Sequence, residues 1–342
     1  MLEKPMPPMD DAWAAIEAFF EQGLTDGLPV VPPKESLVRR FLEHSRLAPG
    51  DVIGRVPARE LVITARTVAI NAVMAGCRPE YLPVVNAVVE AICDETFNIH
   101  GSSVSTAGSA QLVIVSGPVV KALGMNSETN VLGPGNRANS TIGRAVRLVV
   151  INAMGSVPGE MDMTCLGHGG KYSSVLPERE EASPWEPLRV ELGYSLDAST
   201  VTVISSQGPQ QVHDHPGGSV DTILACLGDS LAACGPGFAS FVVLIGPECA
   251  HAFRQAGVTK RQVKQALFEG SQRTVAHFKR AAKLSGRAEP GDEAVMATVV
   301  PSPEAITLVV AGGLAGRFNA LIPPWGKGHA SVTQTREVRL PG

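Results

Sequence analysis

The sequence predicts an α/β fold with a mixed sheet and two related α/β halves, in which helices pack on the sheets. The first observation is a set of short apolar segments with the length and composition of buried strands: residues 111–115, 241–245 and 306–310. The second is that each segment ends at a glycine-containing turn, and the first two lead into a helical pattern. Strands that alternate with helices in this way are typical of α/β proteins.

A repeat within the chain is the third observation. Residues 108–123 (GSAQLVIVSGPVVKAL) and 237–253 (GFASFVVLIGPECAHAF) superpose without gaps at an offset of 129, and residues 306–318 are a looser third copy. Recurrence of a strand–turn–helix unit indicates two halves of related topology, although any buried strand that ends in a glycine turn resembles these segments. We predict an N-terminal helical or extended segment over residues 1–58, a first half over 59–195 and a second half over 196–342.

Apolar periodicity, capping residues and helix breakers place the other elements. Residues 60–74, rich in valine, isoleucine and alanine, fit either a strand or a buried helix. Ser36 and Thr259 are the predicted amino-terminal caps of two helices. A fourth strand is predicted over residues 201–204, and helices over residues 10–22, 36–44, 79–93, 141–153, 221–234, 248–255 and 259–267, with a short one that ends at residue 123.

The charge composition indicates which kinds of partner the protein has. Hydrophobic residues make up 44% of the chain, enough for a sizeable core, whereas charged residues make up only 18%, below the usual quarter. This small charged fraction predicts a homo-oligomer, in which other subunits cover part of the surface. The net charge of −4 and the pI near 6.1 lack the basic character of a nucleic-acid-binding protein.

Apolar runs and cysteines predict a cytoplasmic protein. No uninterrupted apolar run of membrane-spanning length occurs, and the first residues lack the pattern of a signal peptide. Six cysteines are scattered without a CxxC pair, which argues against a disulfide framework and a zinc knuckle. His213, Asp214 and His215 resemble metal ligands, but a third neighbouring ligand is missing, so we predict neither a metal nor a cofactor.

Polar side chains concentrate in residues 130–188, interleaved with glycine and proline. In the segment LGPGNRANSTIGRA (residues 132–145), glycines precede a predicted helix, where free backbone N–H groups attract anions. The spacing matches neither the P-loop nor the dinucleotide-binding pattern. We predict an anion or carboxylate site, and the alternative is an ordinary helix start capped by Asn139 or Ser140. Its predicted binding residues are Gly135, Asn136, Arg137 and Asn139.

Cys77 is the predicted nucleophile. It lies between Gly76 and Arg78, directly before a helix that Pro79 can begin. A cysteine at a helix amino end beside an arginine is expected to have a lowered pKa, and the thiolate is the reactive form. Arg78 is accordingly assigned to substrate binding. The alternative is a small buried thiol, the commonest environment of a cysteine.

A second group of candidates follows the glycine-rich loop. His168, Lys171 and Tyr172 lie in the segment GHGGKY, where they supply groups that transfer protons or bind substrate. Glu180 is predicted to orient one of them, although the glutamates around it also fit a solvated face. His100, in FNIHGSS, is a further binding candidate because it follows a predicted strand and precedes a glycine.

Several of these motifs together resemble a known family. TDGLPVVPP, NAVMAGCRPEYLPVV, LGPGNRANSTIGRA, GHGGKY and EEASPWEPL are similar to segments of a poorly characterised bacterial family found with, or fused to, small UGSC (seleno)proteins. The resemblance extends over nearly the whole chain. It implies a thiol or selenol partner, because this chain lacks the U/C-G-S-C motif itself, and it implies no particular substrate.

The expected function is that of a cytoplasmic enzyme acting on a small carboxylate-bearing or otherwise anionic molecule. Cys77 would attack covalently, His168 or Lys171 would move protons, and the reaction would be hydrolytic or lyase-like bond cleavage. The first alternative is an oxidoreductase component that works with a thiol or selenol partner protein. The second is a small-molecule binding protein without turnover.

Overall fold

The computed structural model of the protein describes residues 12–215, 217–328 and 330–340. The helices of these residues are α1 (Ala12–Glu21), α2 (Glu35–Ser45), α3 (Ala65–Met74), α4 (Leu82–Ile92), α5 (Ile99–Ser102), α6 (Pro118–Ala122), α7 (Arg137–Asn152), α8 (Leu188–Glu191), α9 (Val220–Ala233), α10 (Pro247–Gln255), α11 (Lys260–Gly270) and α12 (Val275–Arg280). The strands are β1 (Val52–Val56), β2 (Leu61–Thr64), β3 (Ala110–Ser116), β4 (Val175–Pro177), β5 (Thr200–Ser206), β6 (Gln210–His213), β7 (Phe241–Ile245), β8 (Arg273–Thr274), β9 (Met296–Ala297), β10 (Ile306–Val310), β11 (Phe318–Ile322) and β12 (Gln334–Glu337).

Two mixed four-stranded sheets organise the molecule. The first has the order β12-β5-β3-β4 and the second the order β6-β11-β7-β10. In each sheet one parallel pair, β3 with β4 or β7 with β10, continues through antiparallel neighbours to the far edge. The predicted α/β class with helices packed on mixed sheets is confirmed.

The two sheets exchange their edge strands. After β5 in the first sheet, the chain crosses to form β6 at the edge of the second; after β11 in the second sheet, it crosses back to form β12 at the edge of the first. At the crossing, Ser206 forms a β-bridge with Pro324, and the backbone N–H of Trp325 donates to Ser205 O at 2.7 Å. Strands β5 and β12 thus pair in the first sheet although both follow residue 195.

Three apolar clusters hold these layers together. One packs α3, α4 and α7 against the outer face of the first sheet, and another packs α9, α10 and α11 against the outer face of the second. The third lies between the inner faces, where Leu112 and Ile114 of β3 meet Leu244 of β7 and Ile322 of β11. The α7 helix has buried residues over most of its length because it is covered by α3 and α4.

Most element predictions agree with the structure. Residues 60–74 contain both of the alternatives, since β2 leads directly into α3. The cap at Thr259 is confirmed as a capping box with Gln262. The Ser36 cap is wrong, because α2 begins after Lys34 and that position has no side-chain cap bond. The start of α7 is four residues earlier than predicted, since the Asn136 side chain accepts the N–H of Asn139 and caps the helix there.

Within the described residues, no helix is both long and apolar enough to cross a membrane. Two residues of the predicted first helix, 10 and 11, lie outside the described part of the chain.

The layer between the sheets predicts how the protein unfolds. Leu112 is 1% exposed, and replacing a buried leucine with alanine typically costs about 2–5 kcal/mol. We expect Leu112→Ala to lower the free energy of unfolding by this amount while both halves still unfold together. Urea titration followed by circular dichroism and by tryptophan fluorescence should give coincident curves for this variant. Leu314→Ala, at a site that is 70% exposed, is the control; two separate transitions would contradict a shared core.

Candidate active site

A cavity of about 550 Å³ gathers several of the segments that carry the sequence motifs. It is bordered by the turn at residues 25–27, by Arg147 and Ile151 of α7, and by the loop at residues 166–172. We call it the Arg147 cavity. Segments that are more than a hundred residues apart in the chain thus meet beside one helix, and three of the predicted site residues (His168, Lys171 and Tyr172) are among them.

A buried carboxylate, Asp162, organises the charged wall of this cavity. Its side chain is 3% exposed and accepts hydrogen bonds from Arg147 Nη2 at 2.9 Å and from Lys171 Nζ at 2.7 Å. Thr164 donates its N–H to Asp162 Oδ1 at 3.2 Å, and its hydroxyl lies 2.8 Å from Lys171 Nζ. The carboxylate therefore fixes both cations at the cavity wall.

A second ion pair fixes the turn on the other side. Arg144, one turn before Arg147 on α7, holds the Asp26 carboxylate with two hydrogen bonds of 2.8 Å. Its Nη2 also donates to the carbonyl oxygens of Leu28 and Pro29. The two-bond geometry is the strong form of an arginine–carboxylate contact, so Arg144 ties residues 26–29 to α7.

Arg147 has donors to spare. Among the described residues only its Nη2 has a hydrogen-bond partner, and Nε and Nη1 are unpaired, in a side chain that is 9% exposed and borders the cavity. The network contains three cations (Arg144, Arg147 and Lys171) and two carboxylates (Asp26 and Asp162), which leaves one positive charge in excess. A guanidinium with free donors beside a net positive charge suits a carboxylate or another small anion.

Burial has different net effects on the pKa values of Asp162 and Lys171, the two members of the central ion pair. Burial alone would raise the pKa of Asp162, but hydrogen bonds from Lys171 and Thr164 outweigh it, and the pKa is lowered. For Lys171, burial outweighs the attraction of Asp162, and the pKa is lowered, with Arg147 acting in the same direction. Lys171 therefore releases its proton more readily than an ordinary lysine does.

His168 lies in the cavity wall with both ring nitrogens directed at backbone. Nδ1 accepts the N–H of Gly170 at 3.2 Å, so the proton of the neutral ring is on Nε2, which is buried and has no partner within hydrogen-bond distance among the described residues. Burial lowers the pKa of His168, the charge of Lys171 lowers it further, and the backbone of Gly108 and Ser206 opposes the shift. His168 holds the loop, and proton transfer to a ligand would require its ring to turn.

The mouth of the cavity is apolar and exposed. Leu166 is 98% exposed, and Tyr172 is 49% exposed. Gly167, between Leu166 and His168, has φ of +69° and supplies the turn that carries Leu166 outward. Tyr172 is the hydroxyl-bearing side chain at this rim.

The polar side chains of the glycine-rich loop contact other parts of the protein. Arg137 donates from Nε to Gly76 O (3.0 Å) and from Nη2 to Cys77 O (3.5 Å), so two of its three guanidinium nitrogens are bonded to backbone. Asn136 caps α7 and donates to Gly124 O. Asn139 is buried and pairs with the backbone of Asn126 through both ends of its amide. These side chains fix the loop itself, and Gly135 supplies a turn with φ of +124°.

The expected lowered pKa of Cys77 is wrong. The thiol is 6% exposed and donates to Thr141 O at 3.3 Å. Burial raises the pKa of Cys77 to about 12, with the Thr141 hydrogen bond and the charges of Arg137 and Arg144 opposing it only in part. Arg78 is exposed and is not among the charges that act on the Cys77 pKa. The alternative of a small buried thiol describes this residue better than that of a nucleophile.

Glu180 and His100 do not join the cavity either. Glu180 pairs with Arg189 and accepts the N–H of Gly117 at the carboxyl end of β3, whereas His168 lies at the amino end. Seven strand residues separate the two ends, a distance of about 20 Å. The exposed His100 accepts a hydrogen bond from Arg59 at 3.1 Å.

Four members of the network are absent from the predicted set: Asp26, Arg144, Arg147 and Asp162. One signal for Arg147 was present in the sequence: it is a lone charge in the apolar run AVRLVVIN, and a buried charge needs a partner. Asp162 gave no comparable signal, because GEMDMTC resembles an ordinary polar loop. Its role depends on the contacts with Arg147 and Lys171, which only the fold brings together.

His213 and His215 contact each other through Nδ1 atoms 3.1 Å apart. No group of three histidine, cysteine or acidic side chains with metal-site geometry occurs in the described part of the chain.

In comparisons with known proteins, the chain matches no family model and no curated protein.

The environment of His168 predicts a pH effect with a definite sign. Its pKa in the folded protein is lowered from 6.5, so the unfolded chain binds more protons between these two values, and folding stability falls as pH drops from 6.5 through the folded pKa. NMR titration of the ring should give a midpoint below 6.5. His168→Gln should remove this part of the stability loss, and a midpoint at or above 6.5 would contradict the described environment.

Proposed function

We propose that the protein is a cytoplasmic enzyme that acts on a small carboxylate-bearing molecule bound in the Arg147 cavity. The observation that supports this most directly is the buried guanidinium of Arg147, of which Nη2 is paired while Nε and Nη1 are unpaired within the described part of the chain. Charge-assisted hydrogen bonds from arginine to a carboxylate are among the strongest polar contacts in proteins. The substrate carboxylate would take the donors that Asp162 leaves free.

Lys171 is the proposed general acid. Its ammonium donates to both Asp162 oxygens and to the Thr164 hydroxyl, and its lowered pKa favours release of a proton once one of these hydrogen bonds is exchanged for one to the substrate. A proton delivered to a departing group next to the bound carboxylate would assist bond cleavage of the hydrolase or lyase type. Tyr172 would contact the substrate at the rim. Cys77 has no part in this scheme, because its buried thiol is a poor nucleophile.

Binding can be tested with a matched pair of ligands. Benzoate should raise the melting temperature of the protein, and benzamide, which has the same shape without the charge, should not. Arg147→Lys keeps the charge but loses the planar fork, so we expect benzoate affinity to fall about tenfold, the equivalent of about 1.4 kcal/mol. Arg280→Lys, at an exposed arginine paired with Glu293, is the control and should bind as the wild type does.

Equal stabilisation by benzoate and benzamide would contradict the carboxylate assignment, as would unchanged benzoate binding by Arg147→Lys.

Catalytic turnover requires a separate experiment. Carboxylates that bind should be incubated with wild type and with Lys171→Met, and the products followed by mass spectrometry. Loss of turnover in Lys171→Met is the expected result, with benzoate binding weakened by the lost positive charge but still measurable, because Arg147 remains. If every bound carboxylate is recovered unchanged from the wild type, the protein is a binding protein without turnover.

A thiol or selenol partner remains the second candidate, and one observation favours a particular residue for it. Of the six cysteines, Cys165 is the exposed one, and it directly precedes Leu166 and Gly167 of the cavity mouth. A partner disulfide could exchange there: the Cys165 thiolate would attack one sulfur, a new S–S bond would form, and the second partner sulfur would leave as a thiolate.

Disulfide exchange with a small aromatic disulfide reagent tests this assignment. We expect Cys165 to form the mixed disulfide first at neutral pH, and Cys77 to react only after unfolding, because the Cys77 thiol is buried with a pKa of about 12. Peptide mass spectrometry identifies the modified residue, and Cys165→Ser is the control. Faster modification of Cys77 in the folded protein would restore it as the reactive cysteine.

A further inference from the structure

A second cavity lies at the carboxyl ends of the parallel strands β7 and β10. It has a volume of about 370 Å³ and is bordered by Gly246, by the turn at residues 311–313 and by Phe318, with residues 129–133 of the first half on its other side. We call it the Phe318 cavity. The carboxyl ends of parallel strands are where α/β proteins most often bind ligands.

The first half fills the equivalent place with its own side chains. At the offset of 129, Val115 of β3 matches Leu244 of β7; Val115 pairs with Pro177, and Leu244 pairs with Val309. Three residues beyond each partner, Glu180 in the first half corresponds to Gly312 in the second. The strand registers therefore place a glutamate and a glycine at equivalent positions.

The replacement of a glutamate by a glycine at this position distinguishes the two halves. Glu180 turns its carboxylate onto the N–H of Gly117 at 2.7 Å and is held there by Arg189. Gly312 has no side chain, and the corresponding N–H, that of Gly246, is met by Asn319 Oδ1 at 3.1 Å. No glutamate side chain extends from Gly312, whose carbonyl oxygen accepts from Arg179 Nη1 at 3.0 Å, and the Phe318 cavity lies beside this residue.

The charges at this cavity balance. Glu248 and Arg317 are the charged residues among its described lining. Glu248 Oε2 accepts the N–H groups of Gly316 (2.7 Å) and Arg317 (3.2 Å), and Glu248 lies in the first turn of α10. A carboxylate already at the amino end of that helix opposes a second anion. An uncharged ligand suits this site, in contrast to the Arg147 cavity.

The walls indicate a flat ligand. Phe318 is 47% exposed and lines the cavity together with Leu244, Ala311 and Ala320, and its ring also contacts that of His213, with centroids 4.5 Å apart. Gln211, on the neighbouring strand β6, is exposed and pairs in register with Ala320. We propose that the Phe318 cavity binds an uncharged heteroaromatic molecule of nucleobase or nicotinamide size. Its ring packs on Phe318, and its polar edge is met by the Gln211 amide and the Thr129 hydroxyl.

Ligand-observed NMR tests this proposal with adenine and nicotinamide at millimolar concentration. Line broadening by the wild-type protein is expected for at least one of them. Ala315→Trp places a large side chain at the cavity, and Leu314→Trp places the same side chain outside it, at a residue that is 70% exposed. Only the first should abolish the broadening. Phe318→Leu keeps an apolar wall but loses the ring, and should weaken binding by about fivefold.

The outcomes separate this site from the proposed active site. Arg147→Lys should leave adenine and nicotinamide binding unchanged. The inference is overturned if the signals of neither probe are broadened, or if Leu314→Trp weakens probe binding as much as Ala315→Trp does. It is also overturned if benzoate competes with the probes for binding to the Arg147→Lys variant. Probe binding that is lost in Arg147→Lys and kept in Ala315→Trp would place the probes in the Arg147 cavity and likewise overturn it.

Discussion

The apolar layer between the two sheets is the contact on which the other features of the molecule depend. Leu112, Ile114, Leu244 and Ile322 are withdrawn from water only when both inner faces meet. The exchange of β6 and β12 makes the dependence mutual, because each sheet takes its edge strand from the chain that has just left the other. The Phe318 cavity borders this layer directly, since Leu244, Ala311 and Ala320 belong to both.

The α7 helix distributes its three arginines among three tasks. Arg137, at its start, holds the turn around Gly76 and Cys77 through backbone carbonyl oxygens. Arg144 holds residues 26–29, and Arg147 contacts Asp162 while keeping donors for a ligand. The order follows from burial. Arg147 lies deepest and can be kept there as a charge only because the buried Asp162 compensates it.

The two halves share a topology and differ in what occupies the ends of their parallel strands. In the first half, Glu180 and Arg189 close that place as an ion pair. In the second, Gly312 carries no side chain, and the Phe318 cavity lies beside it. The cavity with a net positive charge lies instead beside α7, at the other end of the first sheet. A related pair of scaffolds therefore presents two chemically different cavities, one suited to an anion and one to a neutral ring.

Much of the secondary structure of this protein could be predicted from the chemistry of neighbouring residues. Runs such as residues 111–115 and 241–245 are apolar at every position, so their burial as strands follows from composition, and Thr259 with Gln262 specifies its cap through neighbouring residues alone. The α/β class and the repeat at an offset of 129 were likewise legible in the chain. The site could be predicted only in part: His168, Lys171 and Tyr172 share one short segment, but Asp26, Arg147 and Asp162 meet them only through folding.

Tertiary structure also decided the environment of each polar group, and that environment sets its chemistry. Cys77 has the neighbours of a reactive thiol in sequence, yet packing beneath Thr141 withdraws it from water, and the energetic cost of a buried thiolate outweighs the nearby arginines.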